Sequence, residues 1–559
     1  MKEKVRIYKS YIFGGVFSVA LLLFIQAKPV DSYFEISKNL EIFVNIFKEL
    51  DGFYVDKIEP GKLVKTGIDA MLNELDPYTN YITESDIEDY EFSTTGKYGG
   101  IGAMMRKKGE QVYIGDIYEN SPSQKAGLHT GDQILSVDNK SVSGKSIEDI
   151  SVLLKGAPGT SLSIKVKDAF SGEEITKVLT RGEIEVSSVP YAALIGKEKN
   201  IAYAKLTQFT MGCSKQLKSN LDSLKKVNPQ LKGVILDLRS NPGGLLEEAV
   251  SICNLFVDKG QLVVVTRGKI KEMVKEYKTT SSAWDTKIPL TILVNGYSAS
   301  ASEIVAGTMQ DLDRGVIIGS QSFGKGLVQV TKDLGYNARL KLTVAKYYTP
   351  SGRCIQAIDY SHRNVDGNAN KLPDSLKKAY VTKSGRKVLS GGGIAPDIAI
   401  EDAPSSKLAA VLYNKHFIFD YATLYAKSHR TIASSANFQL SEAEFSDFTR
   451  YLQDKDYSYK TATEVALDSL KQLAIKENYF DAIKGEYAAL EGKLSHDKQK
   501  DLLKNKSEIK QMLENEIASR YYFLRGRIAQ GLQYDNEVIK ANAILEDKTS
   551  YTGLLQAKK

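Results

Sequence analysis

Between Ser32 and Leu75 apolar residues return at helical spacing: Phe34, Ile36, Leu40, Phe43, Ile46, Phe47 and Leu50, then Leu63, Val64, Ile68, Met71, Leu72 and Leu75. That period predicts two amphipathic helices, ended where Pro77 turns the chain. The pattern changes to short β-rich runs at Gln111 to Ile117, Gln133 to Val137 and Ser161 to Lys167, with a helical stretch at Ser146 to Leu154, which predicts a small β domain carrying one helix. From Ile201 to about Ile400 strands and helices alternate. Lys232 to Arg239 and Thr291 to Val294 read as buried strands, each followed by a glycine- or alanine-lined loop and an amphipathic helix. Parallel strands in one sheet deliver both loops to the same edge, where open α/β sheets place their sites.

Past Ala403 the composition shifts. Pro404 is the last proline, and of 43 glycines only Gly485, Gly492, Gly526, Gly531 and Gly553 follow it. Apolar residues such as Leu503, Ile509, Leu513, Ile517 and Ile528 alternate with charge at helical spacing, so this segment is a helical appendage suited to packing, oligomer contact or partner docking. The polar stretch from His362 to Lys387 reads as a loop or hairpin insertion.

Ahead of all this, Lys2, Lys4, Arg6 and Lys9 precede an uncharged apolar run from Tyr11 to Ile25, the layout of a secretory signal or a retained anchor. The chain is expected in the periplasm or another extracytoplasmic space, associated with the inner membrane through this segment where it is a retained anchor and free of it where it is a cleaved signal. Composition narrows the chemistry further. The 75 basic and 68 acidic residues of the 559 are mixed along the chain, leaving a net +7 and no basic arm, so no nucleic-acid partner is expected. Cys213, Cys253 and Cys354 are widely spaced and read as small apolar residues, neither a disulfide framework nor a zinc site. No metal and no cofactor is called for.

The loop after Val294 reads Asn295-Gly296-Tyr297-Ser298-Ala299-Ser300-Ala301-Ser302-Glu303, and Ser300 falls where the strand becomes a helix. Unpaired N–H groups at a helix start stabilise an oxyanion, which suits a nucleophile. The bland reading makes Ser300-x-x-Glu303 a capping box. Downstream, Lys325 sits in Ser322-Phe323-Gly324-Lys325-Gly326, where desolvation would leave its amine neutral enough to act as a base. Of the five histidines, His129 lies in the β domain, His362 in the polar insertion, and His416, His429 and His496 in the tail, so Ser300 needs a base other than histidine. The loop Ser240-Asn241-Pro242-Gly243-Gly244 would reach the same edge, letting Gly243 or Gly244 join Ala301 as an oxyanion donor.

These motifs resemble two families. Tyr98-Gly99-Gly100-Ile101-Gly102, with Ala126-Gly127-Leu128-His129-Thr130-Gly131-Asp132-Gln133-Ile134-Leu135 beyond it, resembles a PDZ domain. The resemblance implies that backbone N–H groups of Gly99, Gly100, Ile101 and Gly102 gather a peptide's terminal carboxylate while the next strand adds the peptide as an extra strand. Ser298 to Ile304, the Gln310-Asp311 pair, Phe323-Gly324-Lys325-Gly326-x-x-Gln329 and Lys341 to Arg353 together resemble the carboxy-terminal processing (tail-specific) serine proteases, over roughly Asp76 to Ile400.

The family resemblance implies a mixed α/β multidomain fold, with a crotonase- or ClpP-like protease core, an inserted PDZ-like domain and a helical extension. It divides the chain into residues 1–27 (signal or anchor), 28–90 (helical region), 91–182 (PDZ-like), 183–402 (protease core) and 403–559 (extension). It makes Ser300 the nucleophile, Lys325 the general base and Gln329 the residue that orients the amine, with Ser298 and Ser302 as decoys. Asp311 is a candidate supporting residue or an exposed helix-end carboxylate. On an ideal strand positions 325 and 329 lie about 13 Å apart, so direct contact requires the glycine loop to curl back. The implied substrates are protein or peptide C-terminal tails, and the terminal helices are expected to make a homo-oligomer or an adaptor contact. Two other classes remain: a catalytically inactive PDZ-bearing peptide scaffold, and a hydrolase of small thioesters.

Overall fold

The computed structural model describes residues 30–401, 405–494 and 498–557, and the basic and apolar run that ends at Ile25 lies outside them. Among the described residues no helix is long and apolar enough to cross a membrane. The chain divides into two compact units, Met1–Tyr81 and Ile82–Lys559.

The first unit holds helices α1 (Val30–Phe53) and α2 (Pro60–Asn73), the second opened by a proline at its start, where no N–H is needed. Phe34, Ile36, Leu40, Phe43, Ile46 and Leu50 of α1 are all exposed. The apolar period read from the sequence is therefore a surface feature here and not the inside of a core.

The second unit starts with helix α3 (Ile87–Thr95), closed by Gly96 in the left-handed conformation. A β domain follows, with strands β1 (Lys97–Gly100), β2 (Ala103–Lys108), β3 (Gln111–Ile117) and β4 (Gln133–Val137), helix α4 (Ile147–Leu154), then β5 (Ser161–Lys167), β6 (Glu174–Thr180) and β7 (Gly182–Glu185). Strands β2 to β6 form an antiparallel sheet in sequence order, while β1 pairs with β7 and so ties the domain's entrance to its exit. Ser146 caps α4 and forms a full capping box with Asp149. Alternation sets the core: Leu162, Ile164 and Val166 of β5 point inward to meet Val112, Ile114 and Ile150. Asp132, fully buried, accepts from the N–H groups of His129 and Ala169 and so fixes the turn before β4.

The third layer of organisation is a six-stranded sheet. Strands β8 (Tyr191–Ile195) and β9 (Ile201–Lys205) are antiparallel. Parallel to β9 run β10 (Gly233–Asp237), β13 (Leu290–Val294), β14 (Val316–Gly319) and β17 (Ile398–Ala399), in that spatial order. Every residue of β10 and β13 is buried, which explains why these strands read as unbroken apolar runs. Helices α5 (Cys213–Val227) and α6 (Leu246–Phe256) cover one face, with α7 (Ala301–Asp311) beside α6. A second, antiparallel sheet contains β11 (Leu262–Gly268), β12 (Lys275–Lys278), β15 (Leu327–Gly335) and β16 (Ala338–Tyr348). The polar insertion forms two short hairpins, Ile358–Arg363 with Ala369–Lys371 and Ala379–Val381 with Lys387–Leu389.

The tail comprises α8 (Lys407–Asn414), α9 (Phe417–Ser428), α10 (Glu442–Tyr451), α11 (Ala462–Lys476), α12 (Phe480–Leu494), α13 (Lys498–Lys504), α14 (Lys506–Gly531), α15 (Asn536–Glu546) and α16 (Lys548–Leu554). Its final helices form the second cover of the six-stranded sheet: Val538, Ala541, Ile544, Leu545 and Tyr551 pack on Ile201, Tyr203, Ile235 and Ile318. At about 2 kcal/mol for each fully buried aliphatic side chain, this face is a structural half of the core. Arg239, just beyond β10, binds Asp237 and reaches Asp535 at 2.7 Å, fastening the sheet edge to the start of α15. Upstream, Arg527 of α14 pairs with Asp116 of β3 at 3.0 Å, and Phe523 packs against the β-domain core, so the tail also grips the PDZ-like domain.

Candidate active site

Strand β13 ends in a turn that is stitched to the neighbouring Ser240–Gly244 loop. Asn295 Oδ1 accepts from Ser240 N–H at 2.9 Å, and Ala299 N–H donates to the Asn241 carbonyl at 3.0 Å. The hydroxyls of Ser298 and Ser302 are consumed in the same stitching: Ser298 donates to the Leu238 carbonyl at 2.8 Å and Ser302 to the Asn241 carbonyl at 2.9 Å. Ser300 differs from both. It makes no side-chain cap hydrogen bond, and its backbone sits at φ 56°, ψ −112°. A non-glycine residue there costs on the order of 1–3 kcal/mol and persists only when its surroundings over-determine it.

Glu303 supplies much of that constraint. Its carboxylate accepts from Ser300 N–H at 2.8 Å, while Glu303 N–H donates to the Ser300 carbonyl at 2.8 Å. Ser300 and Glu303 thus form the capping box of the bland reading, with the Ser300 side chain facing the Glu303 N–H but too poorly placed to make a full cap hydrogen bond. The same carboxylate crosses to the lysine loop, accepting from Lys325 N–H at 2.9 Å, Gly324 N–H at 2.7 Å and the Ser322 hydroxyl at 2.6 Å. Burial pushes the Glu303 carboxyl up to about 7 against the pull of those four donors. Tyr347 adds a second clasp, its single hydroxyl proton shared between the Ser300 carbonyl at 3.0 Å and the Lys325 carbonyl. Neither Glu303 as a bridge nor Tyr347 was singled out from the sequence. The signal for Glu303 is a charged residue in a segment that otherwise reads as fully buried; Tyr347, on a strand that is mostly half-buried, carries no such signal.

Ser300, Lys325, Gln329, Gly243, Gly244 and Ala301 line one cavity of about 430 Å³. Lys325 precedes β15 and lies in the loop, where Gly324 has φ 89° and a Cβ would meet the Ala357 methyl at 2.3 Å. The ideal-strand spacing between positions 325 and 329 thus does not apply, because the lysine is off the strand. Gln329 uses its amide N–H on the Thr343 hydroxyl at 3.1 Å. Among the described residues no histidine lines the cavity.

The oxyanion assignment needs one correction. Gly243 N–H donates to Asn241 Oδ1 at 2.9 Å, so it is occupied and does not point at a substrate oxygen. Among the described residues no recorded hydrogen bond takes the N–H of Gly244 or of Ala301, the first residue of α7. Gly243 matters by its size: its φ is 102°, and a Cβ would stand 2.8 Å from the Ser300 Cβ.

Asp311 also differs from one of its two sequence readings. It is buried and ion-paired with the fully buried Arg353 at 2.8 Å, and it accepts from the Thr349 hydroxyl and Ser351 N–H. Arg353 further donates to Gln310 at 2.7 Å. The Gln310-Asp311 pair and the Thr349 to Arg353 segment are two halves of one joint, anchoring the far end of α7 to the end of β16.

In the β domain a groove of about 260 Å³ runs between β2 and α4, lined by Tyr98, Ile101, Ala103, Met105, Ile147 and Leu154. The carbonyls of Gly99, Ile101 and Gly102 accept internally, from Gly156, Ser123 and Tyr118. Gly102 has φ 72° and a Cβ there would meet the Ser121 Cβ at 2.3 Å, so this loop tolerates no side chain.

Comparison with known proteins places these elements. The sequence model of peptidase family S41 matches residues 200–362, that of a PDZ domain residues 113–168, and that described as a probable PDZ-protease C-terminal helical domain residues 408–545. The carboxy-terminal-processing protease of Bartonella bacilliformis is 35% identical over 375 residues, which span 66% of this chain and 85% of that protein. A probable CtpA-like serine protease of Staphylococcus haemolyticus is 38% identical over 312 residues, 55% of this chain and 61% of the relative. Among solved structures, the photosystem II D1 C-terminal processing protease is similar at 26% identity and a TM-score of 0.34, over 64% of this chain and 92% of that one. A mixed α/β chain with this core, a PDZ domain and a helical extension, matched over most of a relative's length, belongs to the carboxy-terminal-processing serine proteases of peptidase family S41.

Proposed function

We propose that this serine protease cuts substrate tails through an acyl-enzyme formed on Ser300, with Lys325 as the general base. The observation that carries the reading is that the serine turn and the lysine loop meet on one carboxylate, Glu303, and present both side chains to one cavity. In the first step Ser300 Oγ attacks the scissile carbonyl as its proton passes to the Lys325 amine, and the amine returns that proton to the leaving nitrogen. Water then repeats the sequence on the ester. Gly244 and Ala301 N–H groups hold the tetrahedral oxygen, and Gln329 orients the base.

Selection falls to the PDZ groove, where the N–H groups of Ile101 and Gly102, beyond the Gly100 that pairs with Gly182 of β7, receive a terminal carboxylate and β2 pairs with the peptide. The test compares one unstructured substrate with a free C-terminus and with a C-terminal amide. The free acid is turned over about tenfold better, and Ile101→Asp removes the difference. Equal rates for acid and amide in the unmodified enzyme would sink the tail-reading step.

The same proposal places the enzyme outside the cytoplasm, held at the membrane by its N-terminal segment, with exposed apolar residues of α1 as contacts between copies or with an adaptor. Protease added to intact spheroplasts should digest the protein, and its survival there until the cells are lysed would place it inside.

A further inference from the structure

The cavity that holds Ser300 and Lys325 contains a second lysine that the hydrolytic steps leave without a task. Lys341 stands on β16 opposite Thr331 of β15, and its side chain lines the cavity. Gln329, two residues nearer the lysine loop, stands opposite Thr343 on the same hairpin. Two residues of strand are about 7 Å, so Lys341 serves a part of the cavity beyond Gln329 and away from Ser300.

Its surroundings are polar but neutral. The Thr331 hydroxyl bonds to the Tyr90 hydroxyl at 2.8 Å, and Thr343 is taken by Gln329. Among the described residues no carboxylate forms an ion pair with Lys341 and no recorded hydrogen bond uses its amine. Glu247 is the one carboxylate lining the cavity among those residues, and it makes no ion pair with Lys341. Burial by itself holds the Lys341 amine below the usual lysine range, with no neighbouring charge contributing.

A partly buried ammonium without a counter-charge is an unfavourable arrangement for a folded protein to keep. A surface lysine escapes the cost by extending into water; one that lines a substrate cavity escapes it when the substrate brings the anion. We propose that Lys341 is a specificity residue that binds a carboxylate of the substrate chain some residues away from the scissile bond. The carboxylate comes from an acidic side chain or from the chain terminus. The inference rests on the peptidase reading of the same cavity.

Three sets of internally quenched peptides test it: amide-capped peptides with one Glu moved along the sequence, the matching Gln peptides, and neutral peptides with a free C-terminus. The readout is the ratio of kcat/KM for a carboxylate-bearing peptide over its neutral partner. In the unmodified enzyme one Glu position, or the free terminus, gives a ratio of about ten. The ratio falls to about one in Lys341→Met and is retained in Lys341→Arg. The Glu and free-terminus arms identify the source, and a terminal preference due only to the PDZ groove is untouched by Lys341→Met.

The same ratios, taken as Kd on the Ser300→Ala protein, separate the two readings. Uncut peptides with a Lys341-dependent binding ratio would remove the peptidase reading and leave this site. Peptides that are cut at a ratio of one, or at a ratio that survives Lys341→Met, overturn the site.

Discussion

Ser300→Ala and Lys325→Ala each lower kcat/KM by roughly 10⁴-fold or more, and the double variant is scarcely worse than either alone. In the proposed mechanism nucleophile and base act as one unit, so once the proton has nowhere to go the other group contributes little. Stability tells the two positions apart from structural ones. Ser300 faces the Glu303 N–H in a capping box without making a full side-chain cap bond, so removing its hydroxyl is expected to cost at most about 1 kcal/mol and to leave the melting temperature near that of the parent protein. The measurement is cleavage of an unstructured substrate alongside thermal unfolding. An alanine variant at either position that cuts at the parental rate would remove the dyad, and an inactive variant that is also unfolded would point to a structural role instead.

The sequence shows a local motif far better than it shows what the motif touches. The strand, loop and helix around Ser300 were legible because β10 and β13 are buried on both sides and leave no alternation to confuse with anything else. The strands of the PDZ domain were legible for the opposite reason, since one face is buried and the period of two is clean in β5. Asp311 illustrates the limit. A carboxylate at a helix end is ordinarily solvated, and only the return of the chain more than 40 residues later brings Arg353 to it.

The tail is a larger case of the same kind. Its helical period was plain, yet nothing in Val538, Ala541 and Leu545 says that they cover the protease sheet and not one another. A sheet with one predicted helical cover still needs a second, and that deficit is the signal a reading of the sequence could have used. In α1 the period was equally clear and led the other way, because amphipathic spacing records that a face is apolar and not whether this chain buries it.

Glu303→Gln is the second large effect and the more revealing one. Oε1 of Glu303 accepts from Ser322 and Gly324, and Oε2 accepts from Ser300 and Lys325. Glutamine keeps the shape but replaces one oxygen with a donor, so one orientation of the amide confronts the N–H groups of Ser300 and Lys325 and the other confronts that of Gly324, where only the Ser322 hydroxyl can turn to accept. Each buried donor left unpaired costs about 1–3 kcal/mol, and the serine turn and lysine loop lose their common tether. A displacement of about 1 Å in a reacting group costs on the order of 10²-fold, so kcat falls by about that factor while KM changes little.

The pH dependence separates this tether from ordinary loss of fold. Above about 7 the carboxylate is ionised and accepts all four bonds; as pH falls through about 7 it takes up a proton and acquires the same defect as glutamine. Wild-type kcat therefore loses a limb on the acid side of 7 that the variant lacks. Stability runs in the opposite sense. The carboxyl's folded value lies above its ordinary 4.5, so the native state holds the proton more tightly, and this group's stabilising contribution is complete below 4.5 and lost as pH rises through 7. The parent enzyme thus trades stability for activity across that window, and Glu303→Gln flattens both curves. A variant with parental kcat and an unchanged pH profile would show that the two loops find their register without the shared carboxylate.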